Sequence, residues 1–125
     1  MIIIKNIVDI NEYELNECNN LIMKNFTSNR IDTYEKVLLY YSDTTIVGFL
    51  GISHDNYLNQ LCIDANYRNK GYANKLLDKA SDILTDIIYL FVDKNKDNTD
   101  FLLTFYEKHG FIIEYGNEDE YKMFK

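Results

Sequence analysis

Two segments of the sequence combine residue types and spacings that could do chemistry. The first is a short polar segment with two basic residues and two small ones: Arg68-Asn69-Lys70-Gly71-Tyr72-Ala73. A helix that begins here would present unpaired backbone N–H groups and the positive end of its dipole to an anion. Gly71 has no Cβ to block phosphate oxygens, and Arg68 and Lys70 add positive charge. The segment therefore indicates a pyrophosphate site, although its residues alone also fit an ordinary loop between a strand and a helix.

The second segment lies between Phe105 and Phe111 and reads F-Y-E-K-H-G-F. Its aromatic residues fit the buried face of a helix, and Gly110 suits the residue that ends that helix. The Tyr106 hydroxyl, near the end of the helix, could donate a proton to a leaving group if it faces a cleft. The residues of this segment alone leave a structural and a catalytic interpretation open.

Cysteine and histidine are too few and too scattered to indicate a metal site. The sequence has two cysteines, Cys18 and Cys62, and two histidines, His54 and His109, without the spacing of metal ligands. We therefore expect no metal and no structural disulfide, and a cytoplasmic location is the default. Cys62 lies in a β-type run, where a cysteine usually serves as a small buried hydrophobe.

Composition and charge limit the class of protein. The chain has 125 residues, 46% of them hydrophobic, which suits a single domain over residues 1–125. Its formal charge of -7 argues against nucleic-acid binding, which needs clustered basic residues. The sequence contains no apolar run long enough for a membrane span and no signal-peptide pattern. We expect a soluble monomer or homodimer with small-molecule or peptide partners, and neither nucleic acid nor membrane.

The first half of the chain reads as one strand, one helix and three further strands. Residues 2–7 form an apolar run typical of a strand, and Asn11 suits the start of a helix. Four residues of that helix fall on one apolar face: Leu15, Cys18, Ile22 and Phe26. Residues 27–33 are polar and predict a loop or a single helical turn. Three β-type runs follow, separated by short polar turns that predict antiparallel pairing: residues 36–41, 45–53 and 57–63.

A helix, a strand, a helix and a hairpin complete the order. Apolar residues at helical spacing predict a helix from about Lys70 to Leu84. Residues 87–92 are apolar at every position, which is typical of a central strand covered on both faces. Asp97 or Asn98 can cap the last helix. That helix has an apolar inner face: Phe101, Leu102, Phe105 and Tyr106. The closing hairpin is predicted at residues 111–115 and 121–124, so the whole chain predicts a mixed sheet with helices on its faces.

The two chemical segments and the order of elements together resemble one family. Residues 67–77 and 105–111 are similar to motifs of the general-control-related N-acetyltransferase (GNAT) superfamily, which has a Q/R-x-x-G-x-G/A turn after its fourth strand and an F-Y-E-K-x-G-F-like segment in its last helix. The resemblance covers nearly the whole chain. It implies an α/β (α+β) fold with a mixed, mostly antiparallel sheet of about six to seven strands, three to four flanking helices, and a splay between strands four and five.

The resemblance implies acetyl-CoA as the co-substrate and a primary amine as the acceptor. The residues assigned to the pyrophosphate are those of the turn and the helix start: Arg68, Asn69, Lys70, Gly71, Tyr72, Ala73 and Asn74. Three residues of the fourth strand would offer backbone groups to the pantetheine arm: Leu61, Cys62 and Ile63. Tyr106 takes the position of the general acid for the departing thiolate. Asn98 is assigned to the cofactor too, one residue before the family's usual asparagine position, where this chain has Thr99.

The general base stays unassigned because the chain departs from the family pattern. Many family members carry a carboxylate on the fourth strand, where this chain has Asn59-Gln60. Asp64 lies just beyond and suits a turn. Two alternatives therefore remain: a catalytically inactive coenzyme A-binding or interaction module with the same fold, and an unrelated nucleotide-binding domain that uses the Gly71 turn. No motif identifies the acceptor amine.

Overall fold

The computed structural model describes residues 1–26 and 29–125. Within them, the strands of one sheet are β1 (Ile2–Asn6), β2 (Lys36–Ser42), β3 (Thr45–Ser53), β4 (Tyr57–Ile63), β5 (Tyr89–Asp93), β6 (Ile112–Gly116) and β7 (Glu120–Phe124). The flanking helices are α1 (Glu12–Asn25), α2 (Tyr72–Ile83) and α3 (Thr99–Lys108). The sheet order is β1-β2-β3-β4-β5-β7-β6, and β4 and β5 form its one parallel pair among these strands. The predicted fold class is confirmed.

α1 starts where the sequence predicts it. The Asn11 side chain accepts a hydrogen bond from the Glu14 N–H (2.9 Å), and the Glu14 carboxylate accepts one from the Asn11 N–H (2.9 Å). This reciprocal capping box satisfies two N–H groups that the helix itself cannot bond. Cys18 and Ile22 are buried as predicted. The prediction was wrong for Phe26: it follows the helix end with an extended backbone and is 38% exposed.

The stretch after α1 contains the predicted single helical turn. A 3-10 turn spans Ile31–Thr33, and Ile31 is buried under the sheet. Thr27 and Ser28, which the same prediction covers, lie outside the described residues.

The second half follows the predicted order with three local corrections. α2 begins at Tyr72 rather than Lys70, because Asn69 (φ 63°) and Gly71 (φ 82°) adopt left-handed conformations that a helix cannot include. β5 is central in the sheet as predicted. The prediction that both of its faces are covered was wrong: Leu90 and Val92 are buried, while Tyr89 and Phe91 are half-buried. The inward position predicted for Phe101 was also wrong, since it is 68% exposed.

The helices cover the two faces of the sheet unequally. α2 and α3 pack on one face over the larger core, which includes Leu76, Leu77, Leu90 and Met123. α1 covers the other face over a smaller core around Phe49. Each fully buried Leu or Phe contributes roughly 1.5–3 kcal/mol. The larger core therefore holds α2 and α3, which carry both chemical segments, firmly against the sheet.

The parallel strands β4 and β5 diverge. Within the described residues they pair only at Tyr57 and Tyr89, whose rings stack with centroids 5.1 Å apart. By contrast, β5 pairs with β7 along its whole length, from Tyr89–Phe124 to Asp93–Glu120. The predicted splay between strands four and five is confirmed, and it opens the sheet beside the start of α2.

Candidate active site

A cleft of about 850 Å³ fills the splay between β4 and β5. It brings together nearly all of the residues that the sequence assigns to the site: Leu61, Cys62, Ile63, Arg68, Asn69, Gly71, Tyr72, Ala73, Asn74, Asn98 and Tyr106. Lys70 is the exception. Its ammonium lies 5.3 Å from the centroid of the Tyr67 ring, so its side chain belongs to a cation–π contact beside the cleft.

The charge inside the cleft differs from the charge of the whole chain. The chain as a whole carries a formal charge of -7. The cleft lining nevertheless has more cations than anions: Lys24, Arg30, Arg68 and Lys96 against Asp93 and Glu120. A locally cationic cleft in an acidic protein concentrates anionic ligands by its field.

The turn before α2 is open to a ligand. Apart from Gly71 itself and its two chain neighbours, no heavy atom of the described residues lies within 4 Å of a Cβ built at Gly71. Because Gly71 is also the N-cap and has no side chain, the first turn of α2 has no side-chain cap. The first turn contains no acidic residue. Free N–H groups, the helix dipole and open space together suit the binding of a phosphate.

Arg68 is held in place by the end of α1. Its Nε donates to the Ile63 carbonyl (3.2 Å), and its terminal nitrogen donates to the Asn25 side-chain oxygen. The Asn25 amide in turn donates to the Leu21 carbonyl (2.8 Å) and to the Cys62 sulfur (3.2 Å). The sequence analysis missed Asn25, since an asparagine in the last turn of a helix carries no functional signal of its own.

Tyr106 lies in the last turns of α3 and lines the cleft. Its ring packs against Phe105 (5.2 Å between centroids) and Phe111 (5.8 Å). No side chain or backbone group of the described residues bonds to its hydroxyl, which is therefore available to a ligand. Burial raises the pKa of Tyr106 to about 12, so the phenol keeps its proton at neutral pH and can donate a hydrogen bond.

His109 and Asn74 connect the two chemical segments. The His109 ring nitrogens lie 2.7 Å from the Asn74 side-chain oxygen and 3.1 Å from the Asp78 carboxylate. This contact ties the end of α3 to the start of α2. It fixes the position of Tyr106 relative to the Gly71 turn, a role that the sequence analysis did not assign to His109.

The roles of Asn98 and Thr99 at the start of α3 differ from those predicted. Asn98 is the N-cap residue, but its side chain makes no capping hydrogen bond. The Thr99 hydroxyl donates to the Asp93 carbonyl (2.6 Å) and accepts from the Lys96 N–H (3.3 Å). The Asn98 side chain is therefore left to line the cleft, and Thr99 anchors the helix to the end of β5.

The middle of β4 carries amides at the place where the family resemblance led us to look for a carboxylate. Gln60 is buried and accepts a hydrogen bond from the Tyr34 hydroxyl. The Asn59 amide donates to Thr33 Oγ1 and Ser53 Oγ, both at 3.0 Å. Asp64 accepts from the Asn66 N–H (2.9 Å), as a turn-forming aspartate does. No one of these three residues is a free carboxylate in the cleft.

Cys62 is a buried thiol rather than a nucleophile. Burial raises its pKa to about 11, with the nearby Arg68 opposing that rise. At neutral pH the sulfur therefore keeps its proton, and the thiol donates weakly to the Leu21 carbonyl (3.5 Å). Among the described residues, no group of three or more His, Cys, Asp or Glu side chains could hold a metal ion. In the same part of the chain, the helices are too short or too polar to cross a membrane.

Comparisons with solved structures agree with this architecture. The chain is similar to Naa50 from Arabidopsis thaliana in complex with the bisubstrate analogue CoA-Ac-MVNAL, with 22% identity, a TM-score of 0.78 and coverage of 99% of this chain and 97% of that one. It is also similar to an acyl-CoA N-acyltransferase from Pseudomonas aeruginosa, with 17% identity, a TM-score of 0.79 and coverage of 100% and 98%. PaiA N-acetyltransferase from Thermoplasma acidophilum, in complex with coenzyme A, matches with 17% identity, a TM-score of 0.74 and coverage of 100% and 98%.

At these identities the solved structures show a shared fold. No curated protein matches the chain in sequence. The family model for the acetyltransferase (GNAT) domain matches residues 8–123, which is most of the chain. On that match, the chain belongs to the acetyltransferase (GNAT) family.

Proposed function

We propose that this protein transfers the acetyl group of acetyl-CoA to a primary amine, on a small molecule or a peptide, by direct attack of the amine. The observation that carries this proposal is one cleft lined by both the Gly71 turn and Tyr106. A pyrophosphate site and a proton-bearing hydroxyl at the same sheet opening suit a ligand that enters at the turn and reacts near the phenol.

The Gly71 end of the cleft would hold the diphosphate of acetyl-CoA. The first-turn N–H groups of α2 would accept it together with Arg68, which Asn25 holds at the rim. On β4, the backbone of Leu61–Ile63 would bond the pantetheine arm as an added strand does, and an N–H near Cys62 would meet the carbonyl oxygen during transfer. When bound, acetyl-CoA supplies an activated acetyl group.

Tyr106 would assist the departure of the thiolate. A phenol with a pKa of about 12 is a weaker acid than a thiol, whose usual pKa is near 8.5. Its contribution is therefore a hydrogen bond to the sulfur while the C–S bond breaks and the C–N bond forms. The sulfur takes the electron pair of the broken bond, and the amine loses its extra proton to solvent or a nearby base. No covalent bond to the protein is needed.

The second candidate is a coenzyme A-binding module without catalytic activity. Asn59-Gln60 supports it, because neither amide can accept a proton from an ammonium group. The structural relatives leave both candidates open, although one of them was solved with a bisubstrate analogue that joins CoA to an acetylated peptide. A peptide amine therefore stays among the proposed acceptors.

Thiol release from acetyl-CoA, measured with a panel of amines, separates the two candidates. The panel contains polyamines, free amino acids, amino acid amides and short peptides. We expect turnover with at least one class, and a lower kcat in the Tyr106→Phe variant. Binding of coenzyme A with no thiol release above background for any amine would instead favour the inactive module.

A further inference from the structure

Beside the first residues of β4, the cleft carries a guanidinium without a carboxylate partner among the described residues. Arg30 donates hydrogen bonds to the Asn59 side-chain oxygen (3.3 Å) and to the Tyr57 hydroxyl oxygen (3.5 Å). Among the described residues no carboxylate oxygen lies within 4.0 Å of it; the ion pairs found there involve lysines and histidines. Arg30 is thus oriented by neutral groups and keeps its charge uncompensated.

The amide of Asn59 orients the Arg30 guanidinium without neutralising its charge. Both hydrogens of its amide are used, by Thr33 Oγ1 and by Ser53 Oγ, so its oxygen faces Arg30. A carboxylate at this position would pair with the guanidinium and neutralise it. The amide found here orients the fork of Arg30 and leaves its remaining N–H donors for a ligand.

A carboxylate also lines this cleft. Glu120, the first residue of β7, lines the cleft together with Asp93 of β5. Asp93 is occupied by its own turn, where it accepts from the Asn95 N–H (2.9 Å). The Glu120 side chain has no cation or hydrogen-bond partner among the described residues.

Tyr57 lies within reach of both charges. Burial raises the pKa of Tyr57, the Arg30 guanidinium opposes the rise, and the Glu120 carboxylate adds to it. The Tyr57 ring stacks on Tyr89 (5.1 Å) and meets the edge of Phe91 (5.6 Å). Tyr57 is therefore fixed in an aromatic cluster of which Tyr57 and Phe91 line the cleft. The Tyr89 ring is also contacted by the Lys122 ammonium (4.9 Å to the centroid), which pairs with Glu114 (3.2 Å).

We propose that the acceptor is a free amino acid, whose carboxylate binds Arg30 and whose amine is held by Glu120 in the cleft lined by Tyr57 and Phe91. This inference rests on the proposed acetyl transfer. A compact zwitterion matches one cation and one anion that have no partner of opposite charge among the described residues. A polyamine would meet the repulsion of Arg30, and an amino acid amide would leave that guanidinium unpaired.

Direct binding to the protein saturated with coenzyme A tests this inference without relying on turnover. The twenty free amino acids and their amides are titrated by calorimetry, with spermidine as a further ligand. We expect at least one free amino acid to bind roughly 10- to 100-fold more tightly than its amide, since a hydrogen-bonded charge pair is lost in the amide. Equal affinity for acid and amide, tighter binding of spermidine, or no binding of any amino acid overturns the inference.

Five variants, two of them controls, locate the effect. Arg30→Gln should bring the acid-to-amide ratio close to one, and Asn59→Asp should do the same by pairing with Arg30. Lys79→Gln makes the same charge change at an exposed residue of α2 outside the cleft, and its ratio should equal that of the wild type. Glu120→Gln should weaken amino acid binding several-fold, while Glu118→Gln, also outside the cleft, should not.

Turnover distinguishes a failure here from a failure of the proposed function. If amino acids bind with the expected preference but release no thiol from acetyl-CoA, the site stands and the acetyl transfer does not. If thiol is released with polyamines or amides and the acid-to-amide preference is absent, acetyl transfer stands and the amino acid acceptor is wrong. A preserved ratio in Arg30→Gln would also overturn the assignment of the carboxylate site.

Discussion

The two ends of the cleft are built in different ways. The Gly71 end consists of one continuous stretch of chain, and its binding groups are mainly backbone N–H groups exposed by a left-handed turn. The proposed acceptor site is assembled from side chains of separate elements that line the cleft, namely Arg30, Tyr57 and Glu120. On these proposals, acetyl-CoA would be bound mainly by local backbone geometry and the acceptor amine by side chains, which a single substitution can change.

The largest expected effect concerns the backbone end. Gly71→Val should weaken coenzyme A binding by about 100-fold or more, because φ of 82° disfavours a β-branched residue and the new side chain fills the space for phosphate. Calorimetric titration of coenzyme A measures the loss. Gly110→Val is the matched control: it has φ of 91° and lies outside the cleft, so it should lower stability but keep coenzyme A affinity.

A smaller effect, on kcat rather than on binding, is expected for substitution of Tyr106. Tyr106→Phe should lower kcat by about tenfold to a few hundredfold with little change in the KM for acetyl-CoA, since the ring keeps its contacts with Phe105 and Phe111. Steady-state kinetics and the melting temperature are measured together. An unchanged kcat would mean that Tyr106 is only a packing residue.

Substitution of Arg68 tests whether side chains contribute to coenzyme A binding at the Gly71 end of the cleft. Arg68→Ala should weaken coenzyme A binding by about three- to tenfold, because one partly exposed charge is lost while the turn remains. Asn25→Ala removes the group that holds Arg68 and should have a similar or smaller effect. A loss as large as that of Gly71→Val would contradict the backbone character of this end.

The smallest effect on binding is expected at the base of α1, away from both ends. Glu14 is buried and bonds to Lys5 (2.7 Å) and Tyr41 (3.2 Å). Burial alone would raise its pKa, but the Asn11 N–H, Lys5 and Tyr41 together lower it below 4.5. Its stabilisation is therefore complete above pH 4.5 and is lost as the pH falls through the lowered pKa.

Glu14→Gln should cost about 1–3 kcal/mol of unfolding free energy at neutral pH, and the difference from the wild type should shrink below pH 4.5. Urea unfolding at several pH values measures it. Glu12→Gln, an exposed residue of the same helical turn, is the control and should change stability little. Coenzyme A affinity should be the same in all three proteins. If the difference in unfolding free energy between the wild type and Glu14→Gln grew below pH 4.5, the pKa of Glu14 would be raised rather than lowered.

The difference between the two ends also explains what the sequence could predict. The Gly71 turn and Tyr106 were predictable because each lies in a short motif whose conformation is set locally. Lys70 has the right charge and position, yet its side chain turns to Tyr67, a choice that depends on neighbouring packing. Arg30 and Glu120, the residues of the proposed acceptor site, could not be predicted, because they come to one cleft only when the segment before β2 assembles with β4, β5 and β7. Each is a common surface residue in its own segment.

The fold was predictable for a related reason. Its element order follows from hydrophobic period and turn residues, which act locally. The errors at Phe26 and Phe101 have one cause: each is an aromatic residue at the end of a helix, where helical spacing no longer decides which way the side chain points.

The most direct test of the account is the thermal shift produced by acetyl-CoA compared with ATP. A ligand present at 100 times its Kd stabilises the folded protein by about 2.7 kcal/mol, which should raise the melting temperature by several degrees. We expect acetyl-CoA and coenzyme A to produce equal shifts, and ATP at the same concentration to produce a much smaller one. An equal shift with ATP, or none with acetyl-CoA, would contradict a coenzyme A site at the Gly71 turn.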